Sequence, residues 1–144
     1  MKEQIKNIKI LDNWVVRFSE KLEKKDIATI ITLSGEVGAG KTTLTQSLAR
    51  NLEITEPITS PTFVIQKEYK VQNHLWIKKL IHIDAYRLEN KEDLECLGWS
   101  ELVKDPHNII VIEWPEVVTG IETPESISLH LEINNDHSRT ITKI

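Results

Sequence analysis

The 144-residue sequence predicts a three-layer α/β domain whose central sheet is mostly parallel and closes on antiparallel C-terminal strands. Three observations carry that expectation. Residues 28–34 form a short apolar, β-branched run, a glycine-rich loop follows, and a helical repeat of leucines follows the loop. Two further apolar runs, 80–84 and 108–113, each end in an acid, as strands buried on both faces do when they close at one edge of a sheet. Residues 126–133 instead alternate apolar and polar throughout and are followed by a turn at Asn134-Asn135-Asp136 and a second stretch at 139–144, the pattern of an antiparallel pair.

The loop carries the chemistry. Gly35-Glu36-Val37-Gly38-Ala39-Gly40-Lys41-Thr42 fits G-x-x-x-x-G-K-[ST], with a strand expected before it and a helix after it. Main-chain N–H groups that wrap a phosphate need backbone conformations and close approach that a Cβ would obstruct, which is the use of Gly35, Gly38 and Gly40. The helix that begins here adds free N–H groups and a favourable dipole. Lys41 supplies a mobile charge for the β- and γ-phosphates, and the Thr42 hydroxyl is placed to ligate Mg²⁺. The architecture expected is therefore P-loop NTPase-like.

Composition sets bounds on the rest. A chain of this length is most simply one domain, residues 1–144, with room for a core and little for a lid. Eighteen Lys+Arg against 22 Asp+Glu give a formal charge of −4, so bulk attraction to nucleic acid or to an anionic membrane is not expected, and any involvement with RNA is expected to be indirect. The single cysteine, Cys96, excludes an intramolecular disulfide and is expected to be a small buried residue. No apolar run approaches 18 residues and no signal core follows Met1, so the expectation is a soluble, cytoplasmic protein that does not engage a membrane.

In chain order, residues 5–10 alternate imperfectly and suggest an edge strand. A helix follows, capped by Asp12 or Asn13, with Leu11, Trp14, Val15, Phe18 and Leu22 on one stripe. Trp14 is expected in the core rather than against a base. In the loop helix, 42–52, Leu44, Leu48 and Leu52 share a side. Pro57 and Pro61 make 54–61 a surface connection. It delivers a strand at 62–69, and Thr62, in Ser-Pro-Thr-Phe, is either a sensor of the γ-phosphate or an ordinary strand residue after a Ser-Pro turn.

Asp84 and Glu113 compete for the place of the water- or metal-orienting acid. His82 shares the face of Asp84 on a strand and is expected to be a packed, hydrogen-bonded core residue. Arg87, the arginine nearest either acid in sequence, suits a phosphate or a structural ion pair. Asn90 can cap a helix through 91–97 that Gly98 stops, with 99–103 continuing irregularly.

Taken together, these residues resemble the TsaE (YjeE-type) family of P-loop ATPases of bacterial tRNA threonylcarbamoyladenosine (t6A) biosynthesis. The resemblance rests on G-E-V-G-A-G-K-T-T, S-P-T-F, H-I-D-A-Y-R-L, L-G-W-S-E and I-E-W-P-E in that order, and spans nearly the whole chain. It implies ATP phosphates on Gly38, Ala39, Gly40, Lys41, Thr42 and Thr43, Mg²⁺ near Thr42 and Glu113, Thr62 in the first switch, Asp84 as a catalytic carboxylate and Trp114 beside the site. It also implies partners, the TsaD transferase and the TsaB scaffold, which ATP hydrolysis resets between turnovers. The chain departs from the family pattern in the long segment 70–79 and at Glu101-Leu102-Val103.

Two other readings share the loop. A small-molecule kinase needs arginines gathered around a second pocket, whereas Arg17, Arg50, Arg87 and Arg139 are scattered along the chain. A nucleotide-gated binding module would order Thr62 and the 84–103 region with negligible turnover. A GTPase would need a guanine-reading Asn-Lys-x-Asp; those letters occur once, at Asn90-Lys91-Glu92-Asp93, in the stretch where Asn90 is expected to cap a helix.

Overall fold

The computed structural model describes residues 1–59 and 64–144. The elements run β1 (Lys2–Ile5), α1 (Ile8–Ser19), β2 (Thr29–Ser34), α2 (Lys41–Asn51), β3 (Gln66–Lys70), β4 (Lys79–Asp84), α3 (Lys91–Glu95), α4 (Trp99–Lys104), β5 (Asn108–Glu113), β6 (Ile127–Ile133) and β7 (Arg139–Lys143). Short 3-10 turns cover Ala85–Arg87 and Pro115–Val118. All seven strands join one sheet in the order β1-β7-β6-β2-β5-β4-β3.

The centre of that sheet is parallel: β2 pairs with β5 and with β6, and β5 with β4. Antiparallel strands flank it, with β6-β7-β1 on one side and β3 against β4 on the other. The antiparallel C-terminal pair was expected; the antiparallel β3 edge adds a second one.

The pleat sorts the core into two layers. Leu80, Ile109, Val111, Ile31 and Leu33 face one way and pack with Leu11, Trp14, Val15, Leu44 and Leu48 of α1 and α2. Alternate residues Ile81, Ile83, Ile110, Ile112 and Ile30 face the other way and pack with Leu94, Trp99, Val118 and Ile121. Central strands with both faces covered are nearly continuous apolar runs, which is why 109–112 is unbroken and 29–33 is interrupted only by the buried threonines Thr29 and Thr32. The same parity puts His82, Asp84 and Glu113 in step with Leu80, Ile109 and Val111, on the α2 side of the sheet.

Several local expectations are corrected. The edge strand lies at Lys2–Ile5, not 5–10, because Asn7 accepts from the Ile10 N–H at 2.9 Å and starts α1 there; neither Asp12 nor Asn13 is the cap. The stripe expected through Leu22 outlasts the helix, which stops at Ser19, although Leu22 still packs on the core. Of the strand expected over 62–69, residues 62 and 63 lie outside the described residues, and the described part is strand from Gln66, after Ile65 adopts a left-handed φ of +66°. The helix capped by Asn90 is shorter than 91–97, and residues 99–104 form the regular helix α4 rather than an irregular continuation. Gly98, at φ +83°, lies two residues beyond Cys96, the C-cap of α3, and is the N-cap of α4. Cys96 is exposed, not buried: α3 is barely more than one turn, and Leu94 is its buried residue. Trp14 is a core residue, as expected. Among the described residues, no helix is long and apolar enough to cross a membrane.

Candidate active site

The glycine loop, α2 and the ends of β4 and β5 converge at the C-terminal edge of the parallel strands, where ligands bind in open α/β sheets. Register makes the convergence: Asp84 pairs with Glu113 across β4 and β5, and Glu113 pairs with Leu33 of β2, two residues before Gly35. Gly35 has φ +138°, and a Cβ placed on it would stand 2.3 Å from the Leu131 carbonyl oxygen of β6. The loop therefore starts in contact with backbone, a closeness that only glycine permits. Gly40, at φ +102°, leads directly into α2.

Lys41 is 5% exposed. Its Nζ donates to the carbonyls of Gly35 at 2.6 Å and Glu36 at 3.0 Å and sits 4.4 Å from the centre of the Trp114 ring. Burial pushes the ammonium below the usual lysine range, against the pull of the Glu113, Glu116, Asp84 and Glu36 carboxylates. The indole in turn touches Tyr86, with ring centres 5.2 Å apart. Trp114 holds a left-handed φ of +60° where β5 gives way to the turn at Pro115–Val118, and its N–H donates to Leu33 O at 3.2 Å.

Both acids are buried, at 4% exposure each, but they meet different groups. Glu113 accepts from Thr42 Oγ1, at 3.1 Å to Oε2 and 3.4 Å to Oε1. Its Oε2 also accepts from His82 Nε2 at 2.5 Å. Asp84 accepts from the Tyr86 N–H at 3.0 Å and caps the turn at Ala85–Arg87. His82 is hydrogen-bonded in the core, as expected, and its partner is the candidate acid Glu113. Thr62 lies outside the described residues.

One contributor was not found from sequence. Arg139, at the start of β7, donates from a guanidinium nitrogen to Gly38 O at 3.1 Å, across 101 residues. It borders a cleft of about 290 Å³ that runs from Gly38–Gly40 and Thr43 to Ile5, Ile8 and Leu11 on one side and Leu131 and His137 on the other. Nothing in the spacing of the four arginines pointed to this, because it depends on how the hairpin registers against β1 and β2.

Residues 5–141 match the family model described as "Threonylcarbamoyl adenosine biosynthesis protein TsaE". The chain belongs to the TsaE family. Its relatives include proteins named tRNA threonylcarbamoyladenosine biosynthesis protein TsaE from Rickettsia typhi, 31% identical over 88% of this chain and 83% of the relative, and from Borreliella burgdorferi, 41% identical over 66% of each. The chain spans 66%, 53% and 61% of the lengths of the TsaE relatives from Borreliella burgdorferi, Nostoc and Rickettsia felis. The fold of this TsaE-family chain also matches the crystal structure of Bacillus subtilis YdiB, with a TM-score of 0.72 and 25% identity over 99% of this chain and 83% of that one.

Proposed function

We propose that this TsaE-family protein binds ATP with Mg²⁺ and hydrolyses it in support of tRNA t6A modification, acting in the cytoplasm with TsaD and TsaB homologues and meeting tRNA only indirectly. The observation that carries the reading is the Thr42–Glu113 hydrogen bond at the first turn of α2, beside the Lys41 ammonium. A hydroxyl and a carboxylate brought together at the end of a phosphate loop form a hard-oxygen donor pair.

That donor set fits Mg²⁺. Among the described residues no group of three His, Cys, Asp or Glu side chains could hold a metal, so a closed protein cage is absent there. Magnesium is commonly held by one or two protein oxygens, with water and substrate phosphates completing its shell. Thr42 and Glu113 are the residues that would hold it, and when bound it would offset the charge of the phosphate oxygens.

The chain's own groups take the remaining roles. Main-chain N–H groups of Gly38, Ala39, Gly40, Lys41, Thr42 and Thr43 cradle the phosphates, and Lys41 exchanges its bonds to Gly35 and Glu36 for phosphate oxygens. Asp84, on the same face as Glu113, orients the attacking water, and Thr62 senses the γ-phosphate. Trp114 flanks the loop over the lysine. The cleft beside Arg139, walled by Ile5, Ile8 and Leu11, has the apolar lining and volume suited to the nucleoside.

A partner-stimulated enzyme is favoured over a self-sufficient one by the exposure of the rim. Val37 at the tip of the loop is 80% exposed and Tyr86 is 60% exposed, so water reaches the site until another surface covers it. The test is ATP hydrolysis by the purified protein, alone and with TsaB and TsaD of the same organism, with co-elution on a sizing column. Association in ATP with a rise in turnover supports the reading. The absence of both would reduce the pathway assignment to family membership and leave the phosphate site standing.

A further inference from the structure

His82 is fully buried on β4, two residues before the end of that strand. Its Nε2 is 2.5 Å from Glu113 Oε2, and its other ring nitrogen, Nδ1, is buried with no hydrogen-bond partner among the described residues. A carboxylate only accepts, so the ring nitrogen facing it carries the proton and donates. The orphaned Nδ1 costs stability, and an aliphatic side chain in this place would avoid that cost. Among the described residues the ring's hydrogen bond goes to Glu113, and the same carboxylate oxygen is the nearer acceptor of the Thr42 hydroxyl.

We infer that His82 is a positioning residue which holds the Glu113 carboxylate against the Thr42 hydroxyl and so sets the protein's affinity for the Mg²⁺ of the Mg²⁺–nucleotide complex. The inference rests on the ATP- and Mg²⁺-binding reading above. Strand register puts the ring in place: β4 and β5 run parallel, with His82 opposite Val111, so a side chain of imidazole length reaches the end of β5. Two donors then approach one oxygen, from β4 and from α2, and fix the carboxylate where a freely turning Glu113 would spread over several rotamers. Residues that orient metal ligands through a hydrogen bond typically change metal affinity by about 10- to 100-fold when removed.

The experiment measures ADP and ATP affinity by Trp114 fluorescence or calorimetry, in EDTA and across a Mg²⁺ titration, for the unaltered chain and for His82→Leu, His82→Gln and His82→Asn. Leucine fills the site without a donor. Glutamine places an amide N–H near the position of Nε2, whereas asparagine is too short to reach Glu113. His82→Leu is expected to keep metal-free affinity within about twofold while the Mg²⁺ needed for half-maximal tightening rises roughly tenfold or more, and His82→Gln is expected to restore most of it. Should His82→Leu fail to fold, the contrast between glutamine and asparagine decides, and equal Mg²⁺ dependence in those two overturns the inference. A folded His82→Leu with unaltered Mg²⁺ dependence overturns it as well, while leaving the proposed function standing. An unaltered chain that binds no nucleotide overturns both.

Discussion

Thr42 and Glu113 lie 71 residues apart in sequence, and the threonine hydroxyl donates to the glutamate carboxylate at 3.1 and 3.4 Å. The contact joins the first turn of α2 to the last residue of β5, so one hydrogen bond ties the phosphate loop to the acid-bearing edge of the sheet. If this pair holds Mg²⁺, its members act as a unit. Glu113→Gln and Thr42→Val should each raise the Mg²⁺ requirement for nucleotide tightening roughly tenfold, and the double variant should cost little more than either single one. Additive losses in a Mg²⁺ titration of nucleotide binding would show that the two side chains work separately.

Lys41 illustrates a different dependence. Its ammonium is buried, bonded to two loop carbonyls and stacked on Trp114, so its removal strips charge from the site and a cross-brace from the loop. Lys41→Ala should weaken ATP about 10- to 100-fold through loss of charge-assisted hydrogen bonds, and should abolish measurable turnover. Calorimetric titration with ATP checks this; an unchanged affinity and rate would remove the phosphate-site assignment.

Asp84 is next to Glu113 in register but bonded to the Tyr86 N–H. Asparagine has the same shape and can accept that same bond. Turnover should fall at least about 100-fold with nucleotide affinity kept within about tenfold, the signature of a group needed for the chemical step rather than for binding. Steady-state hydrolysis alongside equilibrium binding separates the two effects.

What could be read from the sequence was local in origin. The glycine loop, the largely apolar runs of β2 and β5 and the alternation of β6 each follow from what neighbouring residues require of one another. The start of α1 was misread because Asn7, Asp12 and Asn13 are all good caps and Ile5, Ile8 and Ile10 suit either period. Gly98 looks like a helix stop in sequence because the left-handed conformation that ends a helix serves equally to turn the chain into another. The adjacency of Asp84 and Glu113 was foreseeable from two strands ending in acids. Which of them meets Thr42, how His82 reaches Glu113 and that Arg139 touches Gly38 all depend on strand order and register, and these have no local signature.

The glycines separate two kinds of requirement. Gly98 has a left-handed backbone but nothing within 4 Å of an added Cβ, so Gly98→Ala should cost only the conformational strain, about 1–2 kcal/mol. Gly35 has the same class of backbone and the Leu131 carbonyl in the way as well, so Gly35→Ala should cost about 2–4 kcal/mol and disturb the loop. Urea denaturation of both variants, with nucleotide binding measured in parallel, checks the ranking. Equal losses of stability would mean that the loop yields at Leu131.

The contact between the two helices on the α2 side predicts a pH dependence. Asp12 of α1 accepts from Ser47 Oγ at 2.5 Å and from the Arg50 guanidinium at 2.6 Å, both on α2. Burial is the largest influence on its carboxyl and pushes it up, but the hydrogen bonds from Ser47 and Arg50 and the charge of Arg50 together outweigh it and leave the carboxyl below its ordinary value of 3.8. The folded state therefore binds the proton less readily than the unfolded state. Its contribution is fully present above the unfolded value and is lost as pH falls through the lower, folded one. Because the side chain is 42% exposed, solvent screening limits the effect to about 1 kcal/mol or less. Asp12→Asn should melt below the unaltered chain at pH 7, and the gap should close as the pH drops past 3.8. Melting curves at several pH values decide the cause: a gap that persists unchanged in acid would assign it to packing between α1 and α2 rather than to the carboxylate.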